Sequence, residues 1–283
     1  MKLGAHMPIS GGVWQALVHG HSIGCECVQL FLKNNVQWFA KPYPAQTIAR
    51  FKLEREQGRF AHVFAHAGYL INLAGPNSLK RDRSIQALIQ EIELAAALQL
   101  PFLILHPGAH LGIGETAGVE QVARGLDDAL GATQHLFVQI ALETTAGQGT
   151  CIGYKLEHLA DVFDKVAQLD RLALCIDTAH IFAAGYDIRT QKGWDNVIRQ
   201  VDSLFGLERL VAIHLNDSKA KLGTRVDRHA HIGQGALGKS AFKHIVNDPR
   251  FARLPGCIET PKSKGLRADI QNLTVLRSLI EPN

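Results

Sequence analysis

Nine residues that can bind a metal ion stand at the ends of short apolar segments or in the polar stretches that follow them. They are His66, His106, Glu143, Asp177, His180, His214, Asp227, His229 and Glu259. Imidazole and carboxylate groups without thiolates form a ligand set that suits zinc, with manganese and iron as chemical alternatives. One zinc ion takes about four ligands, so nine candidates predict two or three ions with a bridging carboxylate.

Each of these residues also has an ordinary structural explanation when it is considered alone. A single histidine at a strand end is more often a hydrogen-bonded structural residue than a metal ligand. Glu143 follows an apolar run, where a salt bridge to a neighbouring strand would also compensate its charge. Asp177 could serve as the N-cap of a following helix. A metal site therefore requires several such residues to meet at one place.

One short polar stretch offers two histidines for the same ligand position. Residues two apart in an extended segment face the same side, so Asp227 and His229 can share an ion. His231 lies on that side as well and competes with His229 for the role. A solvated polar loop is the alternative explanation for this stretch.

Short apolar segments alternate with longer amphipathic segments along the whole chain. The predicted strands cover residues 2–6, 27–31, 63–66, 102–106, 138–143, 172–177, 210–214 and 257–259. The predicted helices cover residues 12–21, 45–57, 78–98, 115–133, 155–167, 195–205, 239–246 and 268–280, with Ser78 as one N-cap. Apolar runs of this kind are typical of parallel strands buried on both faces. The alternation predicts a single α/β domain over residues 1–283, a (β/α)8 TIM barrel with eight parallel strands.

The predicted strand ends explain how the metal-capable residues could meet. Active sites of this fold lie at the C-terminal ends of the strands. Six of the eight predicted strands end in one of the nine candidates: His66, His106, Glu143, Asp177, His214 and Glu259. Packing alone does not explain six convergent residues of this type, so the sequence predicts a metal centre at the barrel mouth.

The composition sets wider bounds on function. The formal net charge of +4 permits a polyanionic partner without requiring one. The apolar runs fall short of the roughly 18 residues that a membrane helix needs, and the first residues lack the apolar core of a signal peptide. We therefore expect no membrane association and a cytoplasmic location. The five cysteines form no C-x-x-C motif, and Cys175 and Cys257 are predicted core residues.

Six motifs resemble those of the endonuclease IV family of apurinic/apyrimidinic (AP) endonucleases, over essentially the whole chain. They are His66-x-x-Tyr69-Leu70-Ile71-Asn72-Leu73, His106-Pro107-Gly108, Glu143-x-Thr145-Ala146-Gly147-Gln148-Gly149, Asp177-Thr178-x-His180, His214-Leu215-Asn216-Asp217 running on to Val226-Asp227-Arg228-His229, and Glu259-Thr260. The resemblance implies a monomer with three zinc ions that hydrolyses the phosphodiester 5′ to abasic sites in duplex DNA. The implied products are a 3′-hydroxyl and a 5′-deoxyribose phosphate, as in base excision repair, with removal of blocked 3′ ends as a further activity.

The resemblance also implies how the nine candidates divide among the ions. His66, His106 and Glu143 would hold one ion. Glu143 would bridge to a second ion, which Asp177, His214 and Glu259 would complete. The third would take the remaining three: His180, Asp227 and His229. This division favours His229 over His231, and it makes Glu259 and Glu143 the candidate catalytic residues that position or deprotonate the attacking water.

Two loops are implied to contact DNA. In the family, residues matching Tyr69 and Leu70 press into the duplex at the lesion, as apolar wedges do elsewhere, and Gln37 and Trp38 lie in a second loop that faces DNA. Packing against the barrel is the ordinary alternative for Tyr69 and Leu70. Family members often carry arginine where this chain has Val36, which cannot donate hydrogen bonds. Five further cations are candidate phosphate contacts, none of them assigned singly: Lys33, Lys219, Arg225, Arg228 and Lys262.

Two other functions fit part of the pattern. A sugar isomerase or epimerase on this fold would use one or two ions held by a smaller set: Glu143, Asp177, His214 and Glu259. It would leave five further candidates without a role as ligands. A non-catalytic module that binds damaged DNA would use the metals only for structure, but structural zinc sites are usually closed and rich in thiolates. The metal content per chain discriminates between the nuclease and the isomerase.

Overall fold

Eight parallel strands form a closed barrel in the computed structural model, which describes residues 1–281. In chain order these strands are β1 (Lys2–His6), β2 (Cys27–Phe31), β3 (His62–His66), β4 (Phe102–Leu105), β5 (Gln139–Glu143), β6 (Leu172–Asp177), β7 (Leu210–His214) and β10 (Pro255–Ile258). The barrel closes in the order β1-β10-β7-β6-β5-β4-β3-β2. Two short strands, β8 (Asp217–Ser218) and β9 (His229–Ala230), form a separate antiparallel pair. The predicted (β/α)8 TIM barrel is confirmed.

Helices connect the strands and surround the barrel. Within residues 1–281 the α-helices are α1 (Gln15–Ser22), α2 (Ala45–Gly58), α3 (Ser78–Ala97), α4 (Glu115–Ala132), α5 (Leu156–Phe163), α6 (Thr178–Ala184), α7 (Gln191–Phe205), α8 (Gly238–Val246) and α9 (Arg267–Leu279). Short 3₁₀ turns cover Leu169–Arg171, Leu207–Arg209, Pro249–Phe251 and Lys264–Leu266. In this part of the chain, none of the helices has the length and apolar character needed to cross a membrane.

The sequence-based boundaries differ from the structure at several ends. The predicted N-cap Ser78 is wrong, because the Asn77 side chain accepts the hydrogen bond from the Lys80 N–H instead. Helix α7 begins four residues before the predicted start at Asp195, because Thr190 caps it. Helix α6 is absent from the sequence-based prediction, since its seven residues are too short to show a helical period.

Side chains alternate between the inside of the barrel and the surrounding helices, because successive strand residues face opposite sides. One buried cluster consists of strand residues alone, and it fills the barrel interior: Cys27, Phe64, Phe102, Ile104, Ala141, Ala173, Cys175, Ala212 and Cys257. The larger cluster joins the outer faces of the strands to the helices. Several metal-capable residues lie two positions beyond an interior residue on the same strand, as Glu143 does beyond Ala141. The barrel core thus ends in polar groups at one mouth.

Close contact between β1 and β2 requires a residue without a side chain at Gly4. A Cβ atom added at Gly4 would lie 1.7 Å from the carbonyl oxygen of Cys27 on the paired strand. Since that neighbour is backbone, the strands themselves would have to move apart. The contact makes Gly4 a condition for closing the barrel between its first two strands.

We expect Gly4→Ala to destabilise the protein by about 3 kcal/mol or more, because overpacking against backbone cannot be relieved by a rotamer change. Gly131→Ala is the matched control, since a Cβ there meets no atom within 4 Å in the exposed last turn of α4. That change should stabilise by about 0.5–1 kcal/mol through helix propensity. Urea unfolding of both variants measures the difference, and equal stabilities would contradict this account of the barrel seam.

Candidate metal centre

The structure brings the metal-capable residues together at the C-terminal mouth of the barrel. Eight of the nine offer potential ligand atoms to three groups, each with all atoms within 4.8 Å of one another: His66, His106 and Glu143; Glu143, Asp177, His214 and Glu259; and Asp177, His180 and His229. A fourth such group joins Cys175 to Glu143 and His214. Two of the residues lie just beyond their strands, because β4 ends at Leu105 and β10 at Ile258. The predicted strand ends at His106 and Glu259 are therefore wrong by one residue, while both side chains still join the groups.

Glu143 lies at the centre of the first two groups and has no solvent-exposed surface. Its Oε2 atom is 3.1 Å from His66 Nε2 and 2.8 Å from His106 Nε2, and its Oε1 atom is 2.7 Å from His214 Nδ1. A carboxylate whose two oxygens face different groups of histidines has the arrangement of a bridging ligand.

His214 lies where the carboxylates of the second group converge. Its Nδ1 atom is 2.7 Å from Glu143, 3.3 Å from Glu259 and 3.8 Å from Asp177. Asp177 also caps helix α6, because its Oδ1 atom accepts the His180 N–H at 2.9 Å. The N-cap role and the metal-facing role of Asp177 thus coexist, one on each oxygen.

The third group lies beside the second, and Asp227 is adjacent to it. His229 Nε2 is 3.4 Å from His180 Nε2, 3.4 Å from Asp227 and 3.7 Å from Asp177. Asp227 is also 3.3 Å from His180 Nε2. In contrast, His231 Nδ1 lies 3.0 Å from the side-chain amide of Asn272, away from this group. Of the two competing histidines, the structure brings only His229 to the group.

The second ring nitrogen of three histidines is held by a backbone carbonyl. His66 Nδ1 lies 2.8 Å from the Ala67 oxygen, His180 Nδ1 2.8 Å from the Thr144 oxygen, and His229 Nδ1 3.1 Å from the Glu259 oxygen. A carbonyl can only accept, so each Nδ1 carries a proton, and each Nε2 is the nitrogen that faces the group. Metal-binding histidines are typically held in this way. The donor set therefore fits metal ions.

Cys175 is a thiol close to these groups, adjacent to Glu143 and His214. It belongs to the barrel interior, as predicted, and burial raises the pKa of its thiol to about 12. A neutral thiol is a poor metal ligand because the thiolate is the binding form. The carboxylates of Glu143, Asp177 and Glu259 are the better donors at this position.

The charges in the site depend strongly on one another. Burial raises the pKa of Glu143, but the neighbouring His214 and His106 outweigh burial and hold its pKa well below the usual value. Burial lowers the pKa of His180, yet the carboxylates of Asp177 and Asp227 raise it well above 6.5. For His214, burial lowers the pKa, and the neighbouring carboxylates of Glu259 and Glu143 raise it well above 6.5. Without metal, the carboxylates keep these two imidazoles protonated.

Four polar side chains that hold the metal-capable residues in place are not predicted from the sequence: His6, Gln29, Thr144 and Asn216. The Asn216 amide donates to Asp177 Oδ2 at 2.6 Å and accepts the Glu259 N–H at 2.7 Å. The Thr144 hydroxyl accepts the Asp177 N–H at 3.0 Å. His6 ends strand β1, so the rule that finds the other strand-end residues would also have found it.

The loop that carries Asp227 and His229 is fixed by a buried carboxylate. Asp217 accepts hydrogen bonds from five backbone N–H groups, those of Ser218, Gly233, Gly235, Leu237 and Gly238. The backbone N–H of Asp227 itself donates to the Gln148 side chain at 3.0 Å. The long connection between β7 and α8 is therefore tied down at its base and at its tip.

The residues implied to contact DNA lie on the rim of the same mouth. Tyr69 is 66% exposed, and its ring stands 6.3 Å from that of His66, while Leu70 is half-buried. Gln37 is exposed, whereas Trp38 is half-buried with the guanidinium of Arg83 over its ring at 4.6 Å. The two loops are joined, because the Tyr69 N–H donates to the Asn35 oxygen at 3.2 Å.

Four of the five cations considered as phosphate contacts have other partners; among them, Arg228 donates to the neighbouring Asp227 oxygen at 2.6 Å. Lys33 is buried and pairs with Glu91, which also accepts the Gly68 N–H, so Lys33 ties the two rim loops together. Lys262 donates to Asp269 Oδ1 at 2.6 Å. The guanidinium of Arg225 stacks 3.8 Å above the Tyr154 ring. Lys33 therefore does not offer DNA a surface charge.

Comparison with known proteins first defines the class of this barrel. The chain matches the family described as xylose isomerase-like TIM barrel over residues 19–279. The crystal structure of a D-tagatose 3-epimerase-like protein shares the fold, with a TM-score of 0.73 at 15% identity over 99% of this chain and 97% of that chain. The barrel is thus of the xylose isomerase-like class.

Relatives with higher sequence identity define the family within this class. "Probable endonuclease 4" of Chloroflexus aggregans is 50% identical over 279 residues, which cover 99% of this chain and 98% of the relative. The protein of the same name from Geobacter sulfurreducens is 43% identical, covering 98% and 94%. The crystal structure of endonuclease IV from Thermus thermophilus matches with a TM-score of 0.87 at 31% identity, over 99% of this chain and 98% of that chain. The chain belongs to the endonuclease IV family.

We expect the metal-free protein to be most stable between about pH 4.5 and pH 6.5. The raised pKa values of His180 and His214 give stability that is complete below about pH 6.5 and is lost as the pH rises through their folded values. The lowered pKa values of Glu143 and Glu259 give stability that is present above about pH 4.5 and is lost on further acidification.

Urea unfolding in the presence of a chelator, at about pH 5.5, 7 and 9, measures this dependence. Metal-loaded protein is the control, because a metal must displace the imidazole protons and therefore binds more tightly as the pH rises. If the free energy of unfolding of the metal-free protein rose from about pH 5.5 to about pH 9, the charge assignment would be wrong.

Proposed function

We propose that this protein is a zinc-dependent DNA-repair endonuclease that hydrolyses the phosphodiester 5′ to abasic sites in duplex DNA. The products are a 3′-hydroxyl and a 5′-deoxyribose phosphate, and removal of blocked 3′ ends is a related use of the same chemistry. The proposal depends on one observation, which is that three groups of metal-capable residues adjoin one another at the barrel mouth. Glu143 belongs to the first and second groups, and Asp177 belongs to the second and third. Membership of the endonuclease IV family supports it.

Three zinc ions account for all nine metal-capable residues. His66, His106 and Glu143 would hold the first ion, and Glu143 with Asp177, His214 and Glu259 would hold the second. The third would be held by His180, Asp227 and His229, whose nearest ligand atoms lie within 3.4 Å of one another in each pair. When bound, the zinc ions supply an activated water near neutral pH and neutralise charge on the phosphate and the departing oxygen.

Glu259 is the better placed of the two glutamates to accept a proton from the attacking water. Both oxygens of Glu143 are enclosed by histidines, and that side chain has no exposed surface. The Glu259 side chain is 18% exposed and lines a cavity of about 620 Å³ beside the ligand groups. A group that meets both the ligand groups and this open space can reach a reacting water, whereas Glu143 would be shared by the first two ions.

The rim loops give a means of selecting abasic sites. Tyr69 lines the same cavity as Glu259 and stands exposed near His66. A nucleotide must leave the duplex to reach a barrel mouth, and an abasic nucleotide lacks the stacking and pairing that oppose extrusion. Tyr69 and Leu70 would fill the gap in the duplex, and Gln37 would contact the opposite side of the distortion. Trp38, held under Arg83, supports that loop.

A sugar isomerase is the second candidate, and one observation favours it. Glu143, Asp177, His214 and Glu259 form a complete four-residue group that could hold a single ion. This function leaves four histidines without a role as ligands: His66, His106, His180 and His229. In three of them, His66, His180 and His229, a backbone carbonyl holds Nδ1 so that Nε2 faces the group, as is typical of metal-binding histidines. The nuclease uses every member of the set.

The proposed activity is tested by incubating the zinc-loaded protein with a duplex carrying one abasic site and with an intact duplex. We expect chelator-sensitive cutting 5′ to the lesion that leaves a 3′-hydroxyl, because the site activates water for attack on phosphorus. Glu259→Gln should bind the duplex but lose most of the turnover. If the zinc-loaded protein leaves the abasic duplex intact and converts a keto sugar, the isomerase is the correct function.

We expect His229→Ala to bind one zinc ion fewer per chain than the unmodified protein, since it removes a ligand of the third group. His231→Ala is the matched control and should keep the full metal content, because that ring contacts Asn272 instead. Elemental analysis after dialysis measures both. A loss of zinc in the His231 variant alone would show that the loop binds metal through the other histidine.

A further inference from the structure

Gln29 is a fully buried polar residue on the inner face of β2, beside the metal-capable residues. Its side-chain amide contacts two of them and the neighbouring His6 at once. The Oε1 atom lies 2.7 Å from His214 Nε2, and the Nε2 atom lies 2.6 Å from Glu259 Oε1 and 2.8 Å from His6 Nδ1. An amide has two N–H donors and one strong acceptor, and here all three are used.

Only one orientation of this amide agrees with its surroundings. Three carboxylates face His214 Nδ1, so that nitrogen is the metal-facing one and Nε2 carries the proton. The proton on Nε2 needs an acceptor, which is the Gln29 oxygen. If the amide were rotated by half a turn, its oxygen would face the Glu259 carboxylate and its NH₂ group would face another N–H. The network is therefore complete in one arrangement only.

We propose that Gln29 is a positioning residue that sets the tautomer of His214 and the orientation of Glu259 in the active centre. The inference rests on the proposed metal centre and deepens it. Gln29 holds a ligand from β7 and a carboxylate from the end of β10 in fixed relation, although it lies on β2, across the barrel interior. His6 completes the network by accepting the second amide proton, and it lies beside Gln29 in the paired strand.

The chemistry at this position explains why an amide is needed. An apolar residue would leave the His214 N–H buried without an acceptor, which is unfavourable. A glutamate would accept from His214 but would place a second carboxylate against Glu259 at a position where a donor is required. Only an amide of this length supplies an acceptor to one residue and donors to two others.

The test compares Gln29→Met, which keeps the volume but removes the hydrogen-bonding groups, with the unmodified protein. Zinc affinity is measured by chelator competition, and cleavage of the abasic duplex is measured as kcat and KM. We expect zinc affinity at the site formed by His214 and Glu259 to fall about 10–100-fold, as happens when a group that orients metal ligands is lost. We expect kcat to fall at least about tenfold with KM changed less than about threefold, because Gln29 does not reach DNA.

Gln139→Met is the matched control. Gln139 lies at the other end of the barrel on β5, where its amide donates to the Asp170 oxygen at 2.9 Å, so zinc affinity and kcat should stay as in the unmodified protein. Gln29→Glu is the second variant, in case the methionine variant does not fold. It keeps the acceptor for His214 and should retain the zinc ions while losing about tenfold in kcat.

Unchanged zinc affinity and kcat in a folded Gln29→Met protein, or unchanged kcat in Gln29→Glu, would overturn the positioning role. Chelator competition with zinc alone does not depend on the substrate. If the unmodified protein did not cut abasic DNA, a loss of zinc affinity on removing Gln29 would still support the role. Failure of the proposed function and failure of this inference therefore give different results.

Discussion

The burial of several carboxylates at one barrel mouth is the constraint on which the rest of the structure depends. Glu143 and Asp177 have no exposed surface, and Glu259 is largely covered. Burying an ionised carboxylate without a partner costs far more than any single packing contact contributes. Imidazoles compensate these charges in the metal-free protein, and divalent cations compensate them better. The concentration of histidines around the carboxylates follows from this electrostatic demand.

The barrel accommodates these buried charges by separating an apolar interior from a polar mouth. Its interior is filled by small and apolar residues such as Ala141, Cys175 and Ala212, which exclude water below the site. The next inward position on each of these strands is a metal-capable residue: Glu143, Asp177 or His214. A second set of groups, mostly backbone carbonyls and side-chain amides, holds such residues in place by hydrogen bonds. The geometry is fixed by the protein before any ion or substrate enters.

The fold and the ligand candidates could be predicted from the sequence because both follow local rules. Apolar runs that end in His, Asp or Glu mark the strands, and parallel strands of a barrel end at one mouth. Gln29 could not be found in this way, because it lies two residues before the end of β2 and resembles an isolated polar residue in an apolar run. Counting inward positions by the two-residue period would have revealed it.

Other differences between prediction and structure have equally physical causes. Lys33 is a plausible surface charge in the sequence, which does not show that Glu91, on a helix far along the chain, encloses it. Ser78 and the preceding Asn77 are equally good N-caps for α3, and only the backbone geometry decides between them. The choice between His229 and His231 depends on the course of a long loop, which hydrogen bonds to the buried Asp217 determine. Tertiary geometry decides all three.

The most direct test of this account is X-ray diffraction from crystals of the zinc-loaded protein, with anomalous differences collected at the zinc absorption edge. The account predicts three zinc peaks: one beside His66 and His106, one beside His214 and Glu259, and one beside His180 and His229, with Glu143 between the first two. A single peak at Glu143, Asp177, His214 and Glu259, with no density beside the other histidines, would contradict it.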